Sequence, residues 1–157
     1  MIPRRYFVTS GKAISQVTDL NAFDRALIQA GIGEQNLVYV SSVIPVGAKQ
    51  VGRTKLPMGA ITHTVLAQMR GSEGETISAG ISYAYRKDGH GGYVAEGHGY
   101  MNSRAMRQIL QWKMDEMAKL RDVELHPIRF KIEELSIPMD NYGACISALV
   151  WLPPFDT

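Results

Sequence analysis

The chain has 157 residues, 45% of them hydrophobic, and a formal net charge of +2, which suits one soluble globular domain with a real core. No apolar run could span a bilayer, residues 1–12 (MIPRRYFVTSGK) lack the apolar region of a secretory signal, and the Lys and Arg residues form no stripe with interleaved aromatics. Membrane and nucleic acid are therefore not expected as partners, a cytoplasmic location is, and Cys145 as the only cysteine excludes an internal disulfide or a cysteine-based zinc site.

The first helix signal runs from Thr18 to Gly31: Thr18 or Asp19 can cap it, Leu20, Phe23, Leu27 and Ala30 share a face, and Gly31 suits the C′ position. A short turn leads into a strand at Leu37–Val40, which is interrupted by Ser41 and Ser42. Further strands are expected at Ala60–Met69, Thr76–Arg86 and Gly92–Tyr100, separated by the turn-rich stretches GSEGE (71–75) and KDGHGG (87–92). A second helix opens near Asn102 or Ser103 and carries Met106, Ile109, Leu110, Met114, Met117 and Leu120 at helical spacing, a stripe that reads as core. Closing strands fit Pro127–Leu135 and Tyr142–Leu152. There is no internal repeat and no low-complexity linker. The order predicts an α/β (α+β) sandwich, with mainly antiparallel or mixed sheets packed against two principal helices.

Familiar catalytic signatures are missing: no G-x-S-x-G elbow, no G-x-x-x-x-G-K-[ST] loop and no H-E-x-x-H. His63, His90, His98 and His126 are too dispersed to suggest a metal cluster and read as surface or packing residues, so no metal is expected. Two carboxylates stand out. Asp24 falls between Leu20 and Leu27, at the edge of the apolar helix face. It is either a solvated edge charge or a carboxylate aimed at a pocket or subunit interface, where a guanidinium would match it. Glu96 shares a strand face with Val94, His98 and Tyr100 and has the small neighbours Ala95, Gly97 and Gly99. It is either an edge-strand charge that discourages aggregation or a partly desolvated general acid with a raised pKa. Periodicity does not separate these readings, and by itself the serine pair reads as a plain loop.

Five segments in register resemble the pyruvoyl-dependent arginine decarboxylases. They are LNAFD (20–24) with AGIG (30–33), NLVYVSSVIP (36–45), KLPMGA (55–60), GETISA (74–79) with the glutamate-bearing strand that follows, and GACISALVW (143–151). The resemblance runs from about Leu20 to Leu152; His98 matches no role in it. It implies that Ser42 attacks the carbonyl of Ser41 to give an ester, and that β-elimination and hydrolysis then leave a pyruvoyl group at residue 42. Residues 1–41 and 42–157 of the single domain would become two chains held together by the fold. The resemblance further implies decarboxylation of L-arginine to agmatine through a Schiff base, with Glu96 as proton donor, Asp24 holding the guanidinium and Asn36 supporting the processing geometry. It implies a trimer of cleaved protomers, or a hexamer, with active sites at subunit interfaces. Two alternatives stand beside this: the same chemistry on ornithine, lysine or histidine, or an unprocessed, non-enzymatic trimeric homologue.

Overall fold

The computed structural model describes residues 1–157. In chain order the elements are β1 (Ile2–Ser15), α1 (Asp19–Ala30), β2 (Asn36–Tyr39), β3 (Val43–Ile44), β4 (Lys49–Gln50), β5 (Ile61–Ser72), β6 (Thr76–Tyr85), β7 (Gly92–Gly99), α2 (Ser103–Leu120), β8 (Arg129–Ser136) and β9 (Tyr142–Asp156). They form a five-stranded sheet, β2-β5-β9-β1-β4, and a four-stranded sheet, β3-β7-β6-β8. The β1–β4 and β2–β5 pairs are parallel and all others antiparallel, so the architecture is the expected α+β sandwich with one mixed sheet. The sheets face each other, with α1 on the outside of the larger and α2 on the outside of the smaller.

Alternation along β9 builds two cores from one strand. Cys145, Leu149 and Trp151 point between the sheets, toward Ile77, Ile81 and Val94. Ala144, Ile146, Ala148, Val150 and Leu152 point the other way, toward Ala22, Phe23 and Ala26 of α1. With both faces covered, the strand reads as a continuous apolar run. Burial between the sheets pushes the Cys145 thiol up to about 12, which leaves it an unreactive packing group.

Both helices form where the spacing predicts. Thr18 is the N-cap of α1: its hydroxyl accepts from the Asn21 N–H at 3.0 Å, and Gly31 closes the helix in the left-handed region at φ 83°. The buried face is Ala22, Phe23, Ala26 and Ala30, so the expected face is rotated: Leu20 is 59% exposed. In α2, capped by Asn102, the stripe Met106, Leu110 and Met114 is buried, whereas Leu120 lies free at the end.

The long strand that sequence patterning misses is β1. It lies inside the larger sheet and pairs with β9 over nearly its whole length, Tyr6 opposite Trp151 and Phe7 opposite Val150. Its segment looks polar because, beyond Phe7, the positions beneath α1 carry small or polar residues. Thr9 donates its hydroxyl to the Ala30 carbonyl at 2.7 Å, and Gly11 lies under the Ala26 carbonyl oxygen, where a Cβ would collide. A helix can lie this close only over a missing side chain. Gly11→Ala is expected to destabilise the protein by about 1–3 kcal/mol, because the obstructing atom is backbone. A lower thermal midpoint at matched protein concentration would show this; an unchanged midpoint would mean that α1 does not seat on the strand in this way.

Candidate active site

The two serines occupy the crossing from one sheet to the other. At Val40 the chain is still tied to the larger sheet, the Val40 N–H donating to the Thr64 carbonyl at 3.0 Å. Two residues later the Ser42 carbonyl accepts from the Val94 N–H at 2.9 Å, and β3 continues along β7 in the smaller sheet. The Ser41–Ser42 peptide thus spans the open edge of the sandwich between two anchored ends. Ser41 itself forms no hydrogen bond within the chain, and its side chain is exposed, while Ser42 is half-buried.

A cavity of about 650 Å³ opens beside this crossing, lined by Ser41, Ser42, Glu96, Trp112, Lys113 and Glu116 among others. Glu96 reaches it through β7 geometry. Tyr93 and Ala95 pack under α2, so Val94 and Glu96 take the opposite face, and Val94 is fully buried between the sheets. β3 covers β7 only at Gly92 and Tyr93, so Glu96 lies beyond its end. Glu96 is therefore exposed in the isolated chain rather than desolvated by its small neighbours. From α2, Lys113 Nζ donates to the Glu96 carbonyl at 2.6 Å and ties the helix to this strand. His98 is also exposed, two residues further along β7.

The fold unites Ser41, Ser42 and Glu96 but not the other two residues singled out in the sequence. Asn36 starts β2, and its side-chain amide donates to the Gly59 carbonyl at 2.9 Å. Val40 lies four residue steps further on, about 13 Å at the usual strand rise, so within the chain Asn36 does not touch the serine pair. Asp24 lies exposed on α1, in the opposite outer layer from α2, with Leu20 and Ile28 one turn to either side at 59% and 53% exposure. Sequence reading missed Trp112, Lys113 and Glu116. They sit on the polar side of a stripe that reads as core, and only the approach of α2 to β7 reveals them.

As a class, this is the fold of a pyruvoyl-dependent decarboxylase: a solved pyruvoyl-dependent histidine decarboxylase aligns at TM-score 0.53 and 10% identity, over 65% of this chain and 55% of that one. The model of the pyruvoyl-dependent arginine decarboxylase family matches residues 5–154. Relatives bearing that name include one from Thermococcus kodakarensis, 33% identical over 96% of both chains, and one from Methanothermobacter thermautotrophicus, 33% identical over 97% of this chain and 99% of its own. A third, from Methanocaldococcus jannaschii, is 44% identical over 55% of this chain and 53% of its own. The chain belongs to the pyruvoyl-dependent arginine decarboxylase family. No helix is long and apolar enough to cross a membrane.

Proposed function

We propose that this protein cleaves itself between Ser41 and Ser42 and then decarboxylates L-arginine to agmatine in the cytoplasm. The observation that carries the reading is the shared cavity of Ser42 and Glu96 beside a peptide that links two sheets. Both sides of that peptide are pinned, at Val40 and at Ser42, so a nearby hydroxyl meets a carbonyl that cannot drift away. The residues fit a pyruvoyl group at position 42: a cut there opens a chain end into the cavity, while the Ser42 carbonyl stays tied to the Val94 N–H. When formed, that group supplies an electron sink for the bond electrons left behind as carbon dioxide departs.

The chain's own residues do the rest. Glu96 delivers a proton to the carbon that has lost its carboxylate. Lys113 holds the Glu96 backbone and keeps that side chain at the cavity. Val40, Val65 and Met117 give the cavity apolar walls, where a carboxylate that becomes neutral carbon dioxide is favoured.

Asp24 lies too far round the molecule to serve the cavity of its own chain, which supports an assembly in which a neighbouring copy supplies it. A trimer of cleaved protomers, or a pair of trimers, meets that need. The apolar flanks Leu20 and Ile28 suit burial against a neighbour, and so do Val38 and Tyr39, exposed on the edge strand β2. In such an assembly Asp24 pairs with the substrate guanidinium, and Asn36, which keeps the start of β2 on the Gly59 carbonyl, supports the geometry of processing from a distance.

Carbon dioxide release from arginine, ornithine, lysine and histidine, measured side by side, tests the substrate. Arginine is expected to dominate. In Asp24→Ala the KM for arginine should rise by one to two orders of magnitude, about the 1.5–3 kcal/mol of a hydrogen bond to a charged group, with processing intact. Equal turnover of ornithine and arginine by the wild type would refute the substrate assignment while leaving the chemistry standing.

A further inference from the structure

Ser41 also lines a second cavity, of about 360 Å³, which shares only Val40 and Ser41 with the first. It contains no carboxylate and no lysine or arginine; its walls include Pro45, Trp151 and Phe155, and its one imidazole is His63. His63 sits on β5 opposite Val38, next to the Thr64 whose carbonyl anchors Val40. Its ring stands edge-on to Phe155, with centroids 5.5 Å apart, and its Nδ1 is buried without a hydrogen-bond partner. Buried ring nitrogens are ordinarily paired, so this one calls for a partner that the uncleaved chain does not provide, an acceptor when the ring proton is on Nδ1.

We propose that this cavity receives the carboxylate that self-cleavage creates at Ser41, and that the His63 Nδ1–H donates to it. The inference rests on the processing reading above. In the ester formed by Ser42, elimination removes the Cα proton and breaks the Cβ–Oγ bond, and the electron pair leaves with oxygen as the Ser41 carboxylate. Water then converts the resulting dehydroalanine to the ketone with loss of ammonia. A negative charge thus arises at the rim of a cavity that already holds Glu96 and Glu116. Like charges repel there, whereas the second cavity has no carboxylate and gains a donor once the His63 ring turns its buried Nδ1 toward it. The new chain end lies one residue beyond the Val40 anchor, so turning about the bonds between Val40 and Ser41 moves the carboxylate without unzipping β2. A neutral imidazole protonated on Nδ1 suffices as donor, and a bond to a carboxylate is of the stronger, charge-assisted kind. Docking there clears the approach to residue 42.

Intact mass first establishes that the wild type is cleaved; a wild type that stays whole removes the processing reading and this inference together. The cleaved protein is then exposed to a carboxypeptidase and the 1–41 fragment followed by mass. Ser41 is expected to persist about tenfold longer in the wild type than in His63→Phe, which keeps the aromatic packing but has no donor. His63→Asn, with an amide N–H near the same position, should recover part of the protection. Equal trimming of wild type and His63→Phe overturns the proposal. So does trimming of His63→Asn as fast as of His63→Phe.

Discussion

Ser42→Ala is expected to stay a single 157-residue chain with no carbonyl-reactive end and no measurable decarboxylation. The argument is chemical. Alanine has no oxygen to attack the Ser41 carbonyl and no leaving group on Cβ, so neither the cut nor the ketone can form. Because the electron sink is itself made from this side chain, the loss should reach the full catalytic factor, at least about 10⁶-fold. Ser41→Ala is the informative control. Its hydroxyl makes no hydrogen bond within the chain, and in the proposed chemistry only its carbonyl reacts, so cleavage and turnover should persist. Intact mass of the two variants separates the roles at once. A cleaved Ser42→Ala protein, or a Ser41→Ala protein that never cleaves, would invert the assignment of the two serines.

The same fold explains why cleavage should not release a fragment. Residues 1–41 carry β1 and β2 of the larger sheet and α1, which packs on it, and β1 stays laced to β9 from Ile2 opposite Asp156 to Ser15 opposite Tyr142. The cut severs only the link to β3, at an edge of each sheet. The break therefore lies where the least structure depends on it.

How much of this could be read from residues alone varied with the physics of each element. Both helices were legible because their caps and spacing are local: Thr18, Gly31 and Asn102 act within a turn of where they stand. The strands β5, β6, β7 and β9 were legible from apolar runs between turn residues. β1 was not, because two of its helix-facing positions are Thr9 and Gly11, suited to close approach rather than to hydrophobic burial. β3 and β4, at two residues each, are too short to carry a period. At the site, Ser41, Ser42 and Glu96 stood out through family resemblance. Periodicity alone left a plain loop and an undecided carboxylate, because the sheet change at Val40–Val43 is a tertiary fact. Lys113 and His63 gave no sequence signal, since the significance of each depends on a strand distant in the chain.

Glu96→Gln tests the catalytic half of the proposal apart from the processing half. The substitution keeps size and shape, and neither anchor of the serine crossing involves the Glu96 side chain: the Thr64 carbonyl holds Val40 and the Val94 N–H holds Ser42. Glutamine cannot give up a proton as a carboxyl group can, so kcat is expected to fall by about 10²–10⁴-fold, the usual share of a positioned acid. Order of events makes the test sharper than a rate. Carbon dioxide leaves before the proton arrives, so the variant should release up to one equivalent of carbon dioxide per site in a first turnover, with agmatine lagging behind. A variant damaged only in binding would slow both products together and recover at high arginine. Two fragments by mass, a carbon dioxide burst and delayed agmatine would assign the proton to Glu96. Parallel loss of burst and steady state in a fully processed protein would place the donor elsewhere, with Glu116, the other carboxylate lining the cavity, as the next candidate.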